Sequence, residues 1–262
     1  MIEDIRYPKI NWAIFFILVV LMFLMLFYFE KAWGEDRDPK AVALAEKTIQ
    51  AMGGLDGWKQ VSAIRFNFQV EAEGRPAFAA KHLWDRKNSR DHVEGKNKDG
   101  KLMVAWVDLR TKEGQAWTDG KKLEGQELKT ALEWAYSRWI NDTYWLIMPL
   151  KTLDAGVTIK HEGEKDGHEI LHLNFSKVGE TPGDQYWAYI NKENGLMDRW
   201  EYTLEDQSKG DWSWMEWKDF GKIKLSQLRK KSDGKANIRF EPLAVMDTGD
   251  PAFFGNELKL LD

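Results

Sequence analysis

One segment of the sequence, HEILH at residues 168–172, matches a pattern typical of a catalytic metal site. In zinc proteases the H-E-x-x-H pattern lies on a helix, where two histidines one turn apart bind the metal and the glutamate activates water. Here Leu171, Leu173 and Phe175 alternate with polar residues after a glycine, which predicts a strand. Histidines four apart on a strand are separated by roughly 13 Å, too far to share one zinc ion. We expect His168 and His172 to be polar residues of a sheet, with a zinc hydrolase as the alternative.

The rest of the sequence offers little that could perform catalysis. The chain has no cysteine, which excludes disulfides, thiolate metal sites and a cysteine nucleophile. His82, His92 and His161 lie in separate runs without a serine-nucleophile motif, and no glycine-rich phosphate loop occurs. We therefore expect a protein that is not an enzyme, with no catalytic residue, no metal ligand and no cofactor.

A local basic cluster surrounds the Asp233-Gly234 turn and consists of Arg229, Lys230, Lys231 and Lys235. Short runs of charge usually solubilise a surface. The cluster is therefore predicted to be a solvated hairpin tip rather than a contact with anionic lipid. The net charge of −4, without a dominant basic block, argues against a nucleic-acid partner.

The composition indicates one globular domain with an apolar segment attached. Of the 262 residues, 31% are charged and 13% aromatic, which excludes a protein with many membrane spans and a disordered chain. Residues 12–29 carry no charge, and as a helix they would span roughly 27 Å, close to the thickness of a bilayer core. We predict a transmembrane helix over residues 12–29, an anchor region over 1–34 and one domain over 35–262. A signal peptide cleaved at Ala32-Trp33-Gly34 is the alternative.

The predicted domain begins with a helix and continues as an antiparallel sheet. Asp38 and Pro39 are typical of a helix start, and Gly53-Gly54 of a helix end. From Ile64 onwards, short alternating runs recur at intervals near ten residues, separated by the Asp-Gly and Asn-Gly dipeptides that tight hairpins require. A second helix is indicated by residues that share one helical face: Leu128, Ala131, Leu132, Ala135 and Trp139.

Fourteen tryptophans are present, and several lie on the predicted strands. Large aromatic side chains can fill a closed core, but in a strongly curved sheet they can also line an apolar cavity that binds lipid. Both interpretations stay open at this point. The uncharged segment 144–150, after the second helix, is predicted to be core or a cavity lid. The candidate lining residues of a cavity are Phe66, Phe68, Trp84, Trp106, Tyr144, Trp145, Met148, Trp187 and Trp200.

Four stretches resemble the LolA-like superfamily of bacterial outer-membrane lipoprotein-sorting proteins and their uncharacterised relatives. They cover most of the predicted domain: ALAEKTIQAMGGLDGWKQVSAIRFNFQVE (43–71), DTYWLIMPLKTLDAGVTIKHEG (142–163), ILHLNFSKVGETPGDQYWAYINKENGLMDRWEYT (170–203) and DGKANIRFEPLAVMDTGDPAFF (233–254). The resemblance implies a mainly β (α+β) fold, in which a curved antiparallel half-barrel sheet is covered by helices. It also implies an apolar cavity that receives acyl chains. The carriers of that superfamily are soluble, so the predicted anchor favours the uncharacterised, membrane-anchored branch.

These observations together predict a membrane-tethered extracytoplasmic protein that binds a lipid or an acyl chain, such as that of a lipoprotein. The expected location is the bacterial inner membrane, crossed once, with the C-terminal domain in the periplasm or extracytoplasmic space. The membrane is a partner through the N-terminal helix, and the sequence names no protein partner. Besides the zinc hydrolase, a structural interaction module with a closed core is an alternative.

Overall fold

Residues 38–175 and 183–261 of the chain are described by a computed structural model. The transmembrane helix predicted over residues 12–29 lies outside the described residues. Within the two described ranges, no helix combines the length and the apolar character that crossing a membrane requires. The described residues belong to one compact unit that begins at Asp38.

The described strands form one antiparallel, curved and open sheet of fourteen strands. Their order is β6-β5-β4-β3-β2-β1-β13-β12-β11-β10-β9-β8-β7, and β14 also pairs with β1. Most neighbours are consecutive in the chain, as the predicted hairpins require. The strands are β1 Ala63–Ala72, β2 Arg75–Asp85, β3 Arg90–Lys96, β4 Leu102–Asp108, β5 Gly114–Thr118, β6 Lys121–Lys122, β7 Val157–Lys165, β8 His168–Phe175, β9 Gln185–Asn191, β10 Met197–Thr203, β11 Lys209–Phe220, β12 Ile223–Lys231, β13 Ala236–Arg239 and β14 Leu243–Met246.

Three described α-helices accompany the sheet: α1 Pro39–Ala51, α2 Gly54–Lys59 and α3 Gly125–Ile147. Helix α1 contacts β7 and β8, while α3 contacts β3, β4 and β5. The face of the sheet that α1 and α3 cover is called the inner face below, and the opposite face the outer face. A 3-10 turn over Met148–Lys151 continues α3, and a second one, Pro251–Phe254, lies near the C-terminus.

The helix start at Asp38 and the hairpin turns that the sequence predicts are confirmed. Asp38 caps α1, because its side chain accepts a hydrogen bond from the Lys40 amide at 2.9 Å. The same carboxylate accepts from the His161 amide at 2.8 Å, which ties the start of α1 to β7. The glycines of the predicted hairpin dipeptides all have φ between +72° and +82°: Gly100, Gly120, Gly167, Gly195 and Gly234.

Strand β3 is one of the strands that the hydrophobic pattern did not predict, together with β6, β12, β13 and β14. Its sequence, RDHVEGK, is dominated by charged residues, yet Asp91, His92 and Glu94 are all buried. Each of these side chains has a partner in the fold, so burial of polar groups replaces the usual apolar alternation. Helix α3 packs small residues, among them Ala131 and Ala135, against this region of the sheet.

The link between α1 and α2 depends on a glycine with two constraints. Gly53 has φ +104°, and a Cβ atom there would lie 2.1 Å from the carbonyl oxygen of Lys222, at the start of β12. Gly74 also has a positive φ, of +73°, but no atom lies within 4 Å of the position of its Cβ. A comparison of the two glycines therefore separates the strain of a positive φ from the steric clash. Both positions carry the conformational cost of positive φ, whereas only Gly53 adds a clash with backbone.

We predict that Gly74→Ala lowers the free energy of unfolding by about 1 kcal/mol, and that Gly53→Ala lowers it by at least about 2 kcal/mol more. The measurement is urea unfolding of the 262-residue chain, followed by tryptophan fluorescence. Equal losses in the two variants would contradict the close approach of α1 and β12.

Candidate functional site

Seven of the nine residues predicted to line a cavity lie on the inner face, or on the end of α3 and the turn that follows it, against that face. Phe66, Phe68, Trp84, Met148 and Trp200 are buried in one hydrophobic core, and Tyr144 and Trp145 pack against it. The other two, Trp106 and Trp187, lie on the outer face and so cannot share a cavity with the seven. Trp106 donates its indole N–H to the Gly255 carbonyl at 2.7 Å, and Trp187 donates to Glu162 Oε2 at 2.9 Å.

The densest part of the inner face is an aromatic layer made by the end of α3 and strands β9, β10 and β11. It is defined here as Tyr144, Trp145, Tyr186, Trp200, Trp212 and Trp214. Ring centroids within it are 4.6 Å apart for Trp145 and Trp200, and 5.6 Å apart for Trp200 and Trp214. These pairs have tilted or edge-to-face geometry, the arrangement that aromatic rings prefer. The sequence placed large aromatics on these strands, but it did not single out Trp212 and Trp214.

A buried cation lies against the aromatic layer. Arg229, on β12, is fully buried, and its guanidinium carbon lies 3.5 Å above the Trp214 ring. The prediction that Arg229 belongs to a solvated hairpin tip is therefore wrong. Inward-facing Ile223 and Leu225 share its parity on the strand, and this period-2 pattern would have placed Arg229 on the inner face.

Neutral oxygen atoms bind the Arg229 guanidinium. Nη1 donates to the Ser226 carbonyl at 3.1 Å and to Ser226 Oγ at 2.7 Å, while Nη2 donates to the Trp145 carbonyl at 2.7 Å. The Trp145 carbonyl belongs to the last turn of α3, whose carbonyl groups lack partners within the helix and carry partial negative charge. Burial lowers the pKa of Arg229 well below its ordinary value. No ion pair within the described ranges includes this residue.

Several donors of the aromatic layer, and one of the adjoining Arg229, have no hydrogen-bond partner among the described residues. They are the indole N–H groups of Trp200, Trp212 and Trp214, the Tyr144 hydroxyl and Arg229 Nε. A buried polar group without a partner costs free energy, so such groups are rare in native proteins. The three indoles belong to a chain of contacting rings that begins with Trp214 under the Arg229 guanidinium. So many unpaired donors in one region distinguish it from an ordinary core.

A second buried polar cluster fastens α3 to the inner face and is called the charge clamp. His82, on β2, lies between two carboxylates, with Nδ1 2.8 Å from Asp91 Oδ2 and Nε2 2.9 Å from Asp142 Oδ2. Asp142, on α3, also accepts from Arg138 Nε at 3.1 Å and from Asn141 Nδ2 at 2.8 Å. Two acids and two bases thus form a compact cluster between the helix and the sheet.

The charge clamp holds a proton on its histidine. Burial by itself opposes the charge on His82, but Asp91 and Asp142 outweigh it and raise the pKa of His82 to about 9. Burial raises the pKa of Asp91 above its ordinary value. The ring of His82 also stacks on Phe66, with 4.6 Å between centroids, so the clamp adjoins the aromatic interior.

The HEILH segment lies on strand β8, as its alternation predicts. His168 Nε2 is 2.7 Å from Asp198 Oδ1, and His172 stacks on the Trp187 ring with 4.8 Å between centroids. His172 Nδ1 lies 3.1 Å from Glu162 Oε1. Each histidine therefore has its own partners on the outer face, and no group of described side chains is arranged to hold a metal ion.

Two open depressions lie outside the aromatic layer. One of ≈ 740 Å³ is on the outer face, beside Trp187 and Glu201, and the other, of ≈ 560 Å³, is beside Leu132 and Tyr136. Neither is lined by Trp200, which is 1% exposed. Trp200, Trp212 and Trp214 are buried in this structure, whereas Tyr144, Trp145 and Tyr186 of the aromatic layer are half-buried at its margin. A ligand could reach the buried indoles only if the end of α3 moved away from the sheet.

Comparison with protein-family models and with curated protein sequences gives no match. Solved structures with a similar fold include a DUF1329 family protein from Desulfovibrio piger, at 11% identity and a TM-score of 0.47, covering 82% of this chain and 97% of that one. A LolA superfamily protein from Nitrosomonas europaea has 12% identity and a TM-score of 0.45, covering 82% and 98%. A Vibrio parahaemolyticus domain named for outer-membrane lipoprotein sorting has 10% identity and a TM-score of 0.40, covering 77% and 93%. The LolA-like fold that the sequence resemblance implied is thus among these neighbours, and the likeness is one of fold alone.

The charge clamp predicts a specific dependence of stability on pH. The folded pKa of His82, about 9, exceeds the ordinary value of 6.5, so its stabilising contribution is complete below pH 6.5 and is lost as the pH rises through 9. We expect the free energy of unfolding to fall by about 3 kcal/mol across that window. Urea titrations at a series of pH values measure it. His82→Gln should flatten the slope, whereas His92→Gln, at a buried outer-face histidine, should retain it. A similar slope in His82→Gln and the unaltered chain would refute the assignment.

Proposed function

We propose that this chain is a membrane-tethered, extracytoplasmic protein of the bacterial envelope that binds a lipid or acyl chain on the inner face of its curved sheet. The single observation that carries the proposal is the aromatic layer, a stack of large apolar rings between the sheet and the end of one helix. Ligand sites for hydrophobic molecules are mostly apolar, with a few polar groups that set orientation. The aromatic layer has this composition.

The segment that covers the buried indoles is short, and a short segment could move aside to admit a ligand. Residues 144–150, predicted as core or lid, form the last turn of α3 and the following 3-10 turn. Pro149 ends the regular helix there, and Leu146, Ile147 and Met148 of this segment are themselves buried. Displacing this segment would expose a continuous apolar surface, and an acyl chain could then replace the contacts that are lost.

The membrane tether is proposed from the sequence of residues 12–29. Their uncharged run has the length of a bilayer core, and Trp12 and Tyr28 lie near its ends, where aromatic rings favour the membrane interface. A tether would keep the domain beside a membrane and make lipid available to it. It would also prevent the domain from carrying a ligand across the periplasm as a free shuttle.

A structural interaction module is the second candidate, and it is favoured by the closed packing of the aromatic layer. Trp200 and Trp214 are both about as buried as core residues can be, at 1% exposure each. A module with a permanently closed core would leave its aromatic residues in contact with one another at all times. Binding of an acyl probe separates the two candidates.

We predict that the 262-residue chain, purified from bacterial membranes in mild detergent, retains lipid in native mass spectrometry. It should also bind a dansyl-labelled undecanoate saturably, with energy transfer from tryptophan. Trp200→Leu should weaken probe binding about fivefold or more, because a large aromatic contact is lost. Trp187→Leu is the matched control, since Trp187 lies on the neighbouring strand but on the outer face, and it should leave binding unchanged. No retained lipid and no saturable binding would favour the closed module.

The proposed tether predicts that the chain stays in the membrane pellet after extraction with alkaline carbonate. N-terminal sequencing of that pellet should find the intact N-terminus, because a run of eighteen uncharged residues exceeds the usual 7 to 15 of a signal peptide by a few residues. In spheroplasts, added protease should digest the C-terminal domain without lysis. A soluble chain that begins after Gly34 would contradict the tether, and protection of the domain until lysis would contradict the location.

A further inference from the structure

The buried arginine beside the aromatic layer lacks the anionic partner that a buried cation normally has. Arg229 is fully buried, and its hydrogen bonds go only to the Ser226 side chain and to backbone carbonyls. Buried charges in proteins are normally paired, because transferring a lone ion out of water costs several kcal/mol even after relaxation. The last turn of α3 supplies only the partial charge of a helix end. A full negative charge beside the guanidinium is therefore missing from the described interior.

The unpaired groups of Arg229 and of the connected rings are nearly all donors. The indole nitrogens of Trp200, Trp212 and Trp214 can only donate, as can Arg229 Nε. Trp214 lies directly under the guanidinium, Trp200 contacts Trp214, and Trp145 bridges Trp200 and Trp212 with 5.2 Å between the rings of Trp145 and Trp212. The chemistry that satisfies such a set is an acceptor-rich anion. An ionised carboxylate has two oxygens that only accept, and a phosphate has three or more.

The surroundings of these donors exclude a fully hydrated ion. Arg229 is fully buried, and the ring centroids of Trp214 and Phe240 lie 3.5 Å and 5.0 Å from its guanidinium carbon. A free anion would have to leave its water shell to enter. An anion joined to an acyl chain can enter more easily than a free anion. Burial of its chain among the rings contributes about 0.8 kcal/mol per methylene group, which offsets the cost of removing the charge from water.

We propose that Arg229 and the indole N–H groups of Trp200, Trp212 and Trp214 form a binding site for the anionic oxygen head group of a single-chain acyl ligand, either a carboxylate or a phosphate ester. The inference rests on the proposed acyl-binding function and adds a head-group class and an orientation to it. The ligand lies with its charged end inside, at Arg229, and its chain among the rings of the aromatic layer. To reach the site, the head group must displace the Trp145 carbonyl from Arg229 Nη2.

The test compares ligands that share a chain and differ in the head. Dodecanoate, dodecyl phosphate and uncharged dodecan-1-ol are titrated at pH 8 into the 262-residue chain held in an amphipathic polymer, with tryptophan fluorescence as the signal. We expect the two anions to bind at least tenfold more tightly than the alcohol. Equal binding of all three would overturn the head-group site while leaving the acyl-binding function intact. No binding of any of them would instead remove the proposed function itself.

Two variants assign the preference to the named residues. Arg229→Met keeps an unbranched, apolar part of the side chain and removes its charge, so the anions should lose their advantage while dodecan-1-ol binds within about threefold of its original affinity. Trp214→Phe removes one indole donor and keeps an aromatic ring, so it should reduce the preference for the anions over the alcohol about threefold. It replaces Arg229→Met as the test if that variant does not fold. An undiminished preference in the folded variants would place the anion elsewhere. Competition by free acetate or phosphate at millimolar concentration would show a simple anion site and overturn the acyl assignment.

Discussion

Helix α3 can cover the inner face because the charges beneath it neutralise one another. Asp142 accepts hydrogen bonds from Arg138 and lies 2.9 Å from His82, which in turn lies 2.8 Å from Asp91. Loss of one member would leave an uncompensated buried charge. The free energy lost in that case is far larger than the net stabilisation that the intact cluster provides. The position of α3, and with it the cover over the aromatic layer, therefore depends on the protonated state of one buried histidine.

The interior thus treats two buried cations differently. His82 has a full carboxylate on each ring nitrogen, whereas Arg229 has a hydroxyl, two carbonyls and the partial charge of a helix end. The charge clamp needs nothing further for its charge balance. Arg229, with unpaired indole donors around it, has an unfilled capacity for negative charge. This contrast is the structural basis on which we propose a ligand-binding role for the aromatic layer.

The sequence predicted the fold correctly where apolar residues are buried and polar residues are exposed. The caps of α1, the hairpin glycines and the apolar face of α3 were predictable, because each depends on a local rule of backbone geometry or helical period. Strand β3 was not, because its buried groups are charged and two of them, His92 and Glu94, have partners near the end of the described chain. Arg229 was assigned by its charge to a solvated tip, although the alternation of β12 indicated the inner face. The faces of Trp106 and Trp187 were missed for a related reason. Aromatic type alone does not say which side of a sheet a residue occupies, and each has a polar partner on the outer face.

The most direct test of the central claim is to locate a bound acyl chain. A fatty acid with a photoactivatable diazirine near the end of its chain is bound to the 262-residue chain, cross-linked by light and mapped by peptide mass spectrometry. If the aromatic layer is the site, the label will be found in residues 144–150 and in the segments of β10 and β11 that contain Trp200, Trp212 and Trp214, and excess unlabelled dodecanoate will suppress it. Labelling confined to the outer face around Trp187, or labelling that dodecanoate does not suppress, would contradict the account.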